Sequence, residues 1–189
     1  MAVEKGLPVV SDRERRLDPP FSAKAVANYI LDLAAADGKR PSGIAVMILV
    51  YLAHGWHLAL LGRPLIDEPV VAGKYGPDIH SLEQEFSIFF GSGPVREHAQ
   101  ELRRISPGRL GLYTPRLPND GDPYVERAKE LIRVVWESYR KFTAVQLSNM
   151  THEPGTPWHK VWIEVGGRPG ADIPDELIAE CFTKELAQA

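Results

Sequence analysis

The sequence predicts a mainly α-helical protein: a compact single-domain fold around a buried central helix, with at most a small β element. Two observations lead to this prediction. The stretch from Ser42 to Gly62 is apolar on every side, and such a helix must be covered nearly all round. The segments before and after it show apolar residues at the three- and four-residue spacings of amphipathic helices, separated by Gly and Pro.

The central stretch is interpreted as a core helix and not as a membrane span. Its length is near the roughly 20 residues that a bilayer requires. However, His54, Gly55 and His57 interrupt its second half, and no cluster of Lys or Arg marks one flank. Ser42 is suited to cap the start of the helix, and Gly62 to close it in the left-handed conformation.

Composition is that of an ordinary globular protein and narrows the possible partners. A chain of 189 residues fits one domain, and its formal charge of -3 argues against general affinity for nucleic acid. The single cysteine, Cys181, excludes an internal disulfide and fits a reducing compartment. The first residues lack the apolar core of a secretory signal. We therefore expect a cytoplasmic protein with no membrane partner.

The chain is expected to have three parts. Residues 1–20 are polar and without a lasting period, which predicts a flexible N-terminal arm. Residues 21–166 form the helical domain. Residues 167–189 form a C-terminal helix that is either packed on the domain or used as a docking segment. The Arg-rich run of the arm, within residues 10–16, is either simply solvated or a second docking segment.

Capping residues and apolar spacing locate the other elements. Helices are expected from Ser22, over about 79–90, from Asp122-Pro123, from Thr143 with a capping box to Gln146, over 158–165 and from near Pro174. A two- or three-stranded element is expected from residues 66–75 and 102–113. Residues 98–105 are alternatively compatible with a short helix. Gly76-Pro77 predicts a turn.

No group of residues points to catalysis or to a cofactor. His54 and His57 lie three residues apart on the central helix and could share a metal, but zinc would need two further ligands that the nearby sequence does not offer. Cys181 lies on the apolar stripe of the last helix, where burial would make it unreactive. We expect no enzyme, no metal and no cofactor. The alternative is a metal-dependent hydrolase that uses His54, His57 and Glu153.

Aromatic residues and arginines are the candidate partner contacts. Trp158 and Trp162 lie four residues apart on one helical face, and Tyr75 adjoins a Gly-Pro turn. These rings either complete the core beneath loops or anchor a partner, since Trp and Tyr are enriched at interface hot spots. The arginine surplus of residues 92–122 is either solvated or faces an acidic partner surface. The candidates are Tyr75, Trp158, Trp162, Arg103 and Arg104.

Three stretches, in this order, resemble one family. They are Ile48 to Ala59 with Gly62 and Pro64-Leu65; Ala72-Gly73-Lys74-Tyr75-Gly76-Pro77 with a helix ending Phe89-Phe90-Gly91; and Leu147-Ser148 with Thr151-His152 and Pro157-Trp158. Together they resemble the Panacea domain, the SocA-like or GepA-like family of bacterial and phage antitoxins, over about residues 24–165. The resemblance is nearest to SocA-like members in length and in the alanine-rich first helix. Members often carry a Gln-Lys pair and an aromatic where this chain has Ala45-Val46-Met47 and Gly73.

The resemblance implies a mainly helical antitoxin that neutralises a cognate toxin by direct binding. In SocA-like members it also implies an adaptor that presents the toxin to a Clp-type AAA+ protease. No catalytic set is carried over. The motif residues expected mainly to hold the fold are Tyr51, Trp56, Gly76, Pro77 and His152. A DNA-binding autorepressor is a further alternative, although the sequence shows no helix-turn-helix with a basic recognition helix.

Overall fold

The structure is a computed structural model that describes residues 20–87 and 93–188. In these ranges the α-helices are Ala23–Ala36 (α1), Gly43–Leu61 (α2), His80–Phe86 (α3), Pro123–Tyr139 (α4), Ala144–His152 (α5), Pro157–His159 (α6) and Asp175–Leu186 (α7). The strands are Val71–Gly73 (β1), Gly76–Asp78 (β2), Glu101–Ser106 (β3), Arg109–Tyr113 (β4) and Ala171–Asp172 (β5). A π-helical turn, Lys160–Glu164, directly follows α6. The prediction of a mainly helical fold is confirmed.

Helix α2 is the centre of the fold, as the sequence predicts. The Ser42 hydroxyl accepts a hydrogen bond from the Ala45 N–H, and Gly62 closes the helix with φ of 67°. Helices α1, α3, α4, α5 and α7 all contact α2. By length and composition alone α2 could span a membrane, with a mean hydropathy of 1.9, but 72% of that window is buried inside the fold. The all-round apolar surface is therefore covered by protein.

The C-terminal helix α7 places the aromatic ring of Phe182 against α2. Phe182 meets Tyr51 and Trp56 edge to face, with ring centroids 5.8 and 5.1 Å apart. Gly55 makes this approach possible, since a Cβ at that position would lie 2.5 Å from the Phe182 ring. The glycine that interrupts the central helix is thus a point of close approach between α2 and α7.

The β structure differs from the single small element that the sequence predicts. It consists of a three-stranded antiparallel sheet in the order β2-β1-β5 and a separate β3-β4 hairpin. Strand β1 begins only after Pro69, which has no N–H to donate, and its partner β5 was not predicted. The turn between β1 and β2 is Lys74-Tyr75, so Gly76 and Pro77 belong to β2 and not to the turn itself.

Three further expectations change. The alternative of a helix over residues 98–105 is wrong, because β3 pairs with β4 from Glu101 onward. The helix predicted over 79–90 is α3, which ends at Phe86, and residues 88–92 lie outside the described residues. The helix predicted over 158–165 is α6 with the π-helical turn, in which the Val165 N–H donates to the carbonyl five residues earlier. The predicted arm is also outside the described residues, except for Pro20.

Candidate functional site: the Tyr-Gly-Pro segment and an exposed hairpin

Side chains from α5 and α6 fix the position of residues 75–77, which we call the Tyr-Gly-Pro segment. The Ser148 hydroxyl donates to the Tyr75 carbonyl over 2.6 Å, and the Trp158 indole N–H donates to the Gly73 carbonyl over 2.8 Å. Gly76 has φ of 124°, and a Cβ there would lie 2.6 Å from the Thr151 hydroxyl oxygen. Only glycine accommodates both the positive φ and the close Thr151 side chain. Gly76 therefore lets α5 pack directly against the Tyr-Gly-Pro segment.

Three of the ring-bearing residues singled out in the sequence, His152, Trp158 and Trp162, form a stack next to this segment. His152 and Trp158 lie with ring centroids 3.9 Å apart, and Trp158 and Trp162 are stacked at 5.3 Å with an interplanar angle of 14°. Trp158 is only 5% exposed, so the alternative in which this ring completes the core describes its position. Trp162 is half-buried, and Tyr75 is 51% exposed. Tyr75 is therefore the largely exposed member of this group, while His152 and Trp162 are partly buried.

Two polar side chains near the segment are poorly satisfied. Within the described residues, Asp78 Oδ1 and His152 Nε2 are buried without a hydrogen-bond partner. Burial, with the nearby Glu83 carboxylate, raises the pKa of Asp78 to about 6, and burial lowers the pKa of His152. A Cβ at Gly73 would lie 2.9 Å from the Asp78 Cβ, so the carboxyl group packs closely against β1. Its raised pKa has a packing cause and does not by itself indicate catalysis.

The two histidines of α2 use their ring nitrogens within the fold. His54 Nδ1 accepts from the Leu65 N–H at 3.2 Å, so the proton lies on Nε2, which donates to Asp175 Oδ1 at 2.9 Å. His57 Nδ1 donates to the Arg63 carbonyl at 2.6 Å.

The remaining nitrogen of His57, Nε2, accepts from the Tyr124 hydroxyl at 2.9 Å. Burial lowers the pKa of His57, which favours the neutral ring that this bonding pattern requires. A metal held by His54 and His57 would have to displace these partners. Both side chains instead tie the start of α7, the loop after α2 and α4 to the central helix.

Cys181 is less buried than the sequence predicts. Its thiol is partly exposed and lies 3.4 Å from the Gly155 carbonyl oxygen, on the wall of a cleft of about 470 Å³. Ile178 and Phe182 form the buried stripe of α7, because residues four apart lie on the same face of a helix. Cys181 lies beside this stripe and not on it. Burial also raises the pKa of Tyr51, whose ring lines the same cleft.

Arg103 and Arg104 lie on the β3-β4 hairpin and point to opposite faces, as successive strand residues must. The Arg103 guanidinium lies 3.7 Å from the centroid of the Tyr113 ring and pairs with Glu101. On the other face, Arg104 is opposite Leu110, and Leu102 is opposite Leu112. We call this second set, Leu102, Arg104, Leu110 and Leu112, the leucine face.

Sequence reasoning missed the leucines of this face and the residue that anchors the hairpin. The signal for the hairpin was Pro107-Gly108, which forms its turn with Gly108 at φ of 76°. No sequence pattern marks Asn28 as a residue that binds the hairpin. Its buried side chain accepts from the Ala99 N–H at 2.7 Å and donates to the carbonyls of Ala99 and Pro115 at 3.0 and 2.9 Å. These bonds hold both ends of the hairpin segment, and we call them the Asn28 clamp.

Comparison with known proteins gives a consistent family assignment. Residues 46–159 match the family described as "Antitoxin SocA-like, Panacea domain". The chain is 34% identical over 163 residues to Antitoxin SocA of Caulobacter vibrioides, a match that covers 85% of this chain and 81% of that protein. Among solved structures no significant match was found. Residues 46–159 include most of α2, the Tyr-Gly-Pro segment, the hairpin, and His152 and Trp158 of the aromatic stack, and the chain therefore belongs to the SocA-like Panacea-domain antitoxin family.

Proposed function

We propose that this protein is a cytoplasmic antitoxin, without enzymatic activity, that neutralises a cognate toxin by binding it directly. The observation that carries the proposal is the 34% identity to an antitoxin across 85% of the chain. The structure supports it in two ways. The buried histidines are used within the fold, and the hairpin presents large apolar side chains to solvent. Such a surface is characteristic of a protein that binds another protein.

The proposal is tested with the reading frame adjacent to the gene. Its product should arrest growth when expressed alone and be tolerated when this chain is expressed with it. The two purified proteins should also form a stable complex. A toxic neighbour that this chain neither binds nor neutralises would refute the proposal for that pair.

We further propose that the antitoxin delivers the bound toxin to a Clp-type AAA+ protease. An adaptor raises the effective concentration of a substrate at the protease, so a weak second contact is sufficient. The candidate contacts are residues 10–16 and the outer face of α7. Deleting α7 would uncover α2, because Ile178 and Phe182 are buried against the core. The outer face must therefore be probed by substitution.

The adaptor role is measured as toxin turnover by the purified protease with and without this chain. Reversing the charge at exposed Lys184, or at Arg15 and Arg16, should slow turnover if that contact engages the protease, while toxin binding stays unchanged. Arg127→Glu, an exposed charge reversal on α4, is the matched control. Toxin turnover that does not depend on this chain would refute the adaptor role and leave neutralisation by binding in place.

A further inference from the structure

The leucine face is an exposed apolar surface on a two-stranded hairpin. Leu102, Leu110 and Leu112 are 70%, 62% and 69% exposed, although the register places them side by side on one face. Most leucines of a folded domain are buried, and adjacent exposed ones mark a surface that another molecule covers. Within the described residues, β3 and β4 pair only with each other, so no further strand covers the hairpin.

The base of the hairpin is held firmly by polar contacts from α1. Besides the Asn28 clamp, the Lys24 ammonium donates to the Gln100 carbonyl and pairs with Glu85, both at 2.7 Å. The Ser22 hydroxyl donates to the Glu101 carboxylate at 3.1 Å. The leucine face is thus positioned before any partner arrives, which lowers the entropic cost of binding.

The charge of the hairpin defines the chemistry of its partner. Residues 102–119 contain four arginines and no Asp or Glu, in a chain whose formal charge is -3. Arg103 pairs with Glu101, and Arg116 pairs with Asp32. In the part of the chain that the structure describes, exposed Arg104, on the leucine face, has no carboxylate partner; neither has exposed Arg109, which the alternation of β4 places on the opposite face. A complementary surface is therefore apolar at its centre and carries carboxylates beside it.

A second copy of this chain does not meet that requirement. Symmetric pairing of two leucine faces would bring two arginine-rich hairpins together, and the like charges would repel. Nucleic acid would satisfy the arginines but would leave the three leucines covered by nothing apolar.

Resting on the proposed function, we propose that the leucine face is the centre of the toxin-binding surface and receives an apolar patch of the toxin that is flanked by Asp or Glu. A stable interface buries about 800 Å² per partner, so the face is the hot spot of a larger contact area.

The test compares paired substitutions and measures the affinity of the purified toxin from the adjacent reading frame by titration calorimetry. Replacing Leu102 and Leu112 with Ser should weaken binding by about 100-fold, since truncating each of two central anchors costs about tenfold. Leu60→Ser, at a leucine of α2 that is 52% exposed, should change affinity less than threefold. Arg104→Glu, on the leucine face, should weaken binding by about tenfold or more and slow association, whereas Arg127→Glu should not.

The outcomes separate the two proposals. If the wild-type chain does not bind the toxin, the proposed function fails. If it binds and the leucine and arginine variants bind equally well, the proposed surface is wrong and the proposed function stands. Because Leu102, Arg104 and Leu112 are all exposed, the variants should keep the circular dichroism spectrum and melting temperature of the wild type.

Two further results would overturn the surface assignment. One is a wild-type dimer in light scattering that the leucine variant loses, which would assign the face to a second copy. The other is binding of operator DNA that only the arginine variant loses.

Discussion

The Asn28 clamp gives the sharpest test of how the hairpin is held. Asn28→Ala removes one acceptor and one amide donor group and leaves three buried backbone groups unpaired: the N–H and carbonyl of Ala99 and the carbonyl of Pro115. Each unpaired buried group costs about 1–3 kcal/mol, and some relaxation toward water is expected. We therefore expect the free energy of unfolding to fall by about 3 kcal/mol, within a range of about 2–5 kcal/mol.

The measurement is urea unfolding followed by circular dichroism at 222 nm. For a chain of this size a loss of about 3 kcal/mol corresponds to a melting temperature lower by roughly 6–12 °C. The matched control is Asn149→Ala, an exposed asparagine on α5, which should stay within about 0.5 kcal/mol of the wild type. Amide hydrogen exchange should also become faster across β3 and β4 in the Asn28 variant.

A loss below about 1 kcal/mol would refute the reasoning, because it would mean that water or a rearranged loop satisfies the three groups at little cost. A loss of the expected size without faster exchange in the hairpin would mean that the clamp stabilises the core and does not position the hairpin.

Three other substitutions probe the core. Asp78→Asn should stabilise the protein by about 1 kcal/mol at pH 7.5 and not at pH 4, as measured by urea unfolding; the carboxyl, with a pKa near 6, keeps its proton longer in the folded state, so wild-type stability falls as pH rises from about 4 to 6. Gly55→Ala should cost about 1–3 kcal/mol against the ring of Phe182, and clearly less in a Phe182→Leu background; equal costs would exclude the clash. Asp175→Ala should cost about 1–2 kcal/mol in thermal melts by leaving the His54 Nε2–H unpaired, whereas Asp175→Asn should recover most of it.

Helices were the most predictable part of the fold, because their signals are local. The caps of α2, α4 and α5 lie within three residues of the groups they bind, so Ser42, Asp122 and Thr143 could be assigned from sequence alone. The burial of α2 followed from its all-round apolar surface.

Contacts between distant segments were not predictable in the same way. Strand β5 pairs with β1 across about a hundred residues and is only two residues long. The Asn28 clamp joins residues 71 and 87 positions apart, and a single asparagine in an alanine-rich helix gives no sign of such bonds. The position of Cys181 was misjudged because a one-residue shift in a helix turns a side chain by about 100°.

The candidate site was predicted by residue type more than by arrangement. The structure places Gly76 beside His152, and stacks His152, Trp158 and Trp162, an arrangement that the sequence does not predict. Whether Tyr75, Trp158, Trp162, Arg103 and Arg104 contact a partner stays a prediction. The exposure of the leucines beside Arg104 is not predictable from the sequence, because apolar residues are normally assigned to the core.

The covering of α2 by α7 has a consequence for synthesis of the protein. Residues 43–61 leave the ribosome long before Phe182 is translated, and until then Tyr51 and Trp56 lack the ring that covers them. A nascent or prematurely terminated chain therefore exposes apolar surface, which makes it prone to aggregation and a substrate for chaperones and proteases. Only complete translation yields a durable molecule, so the cellular supply of this protein depends on reading its message to the end.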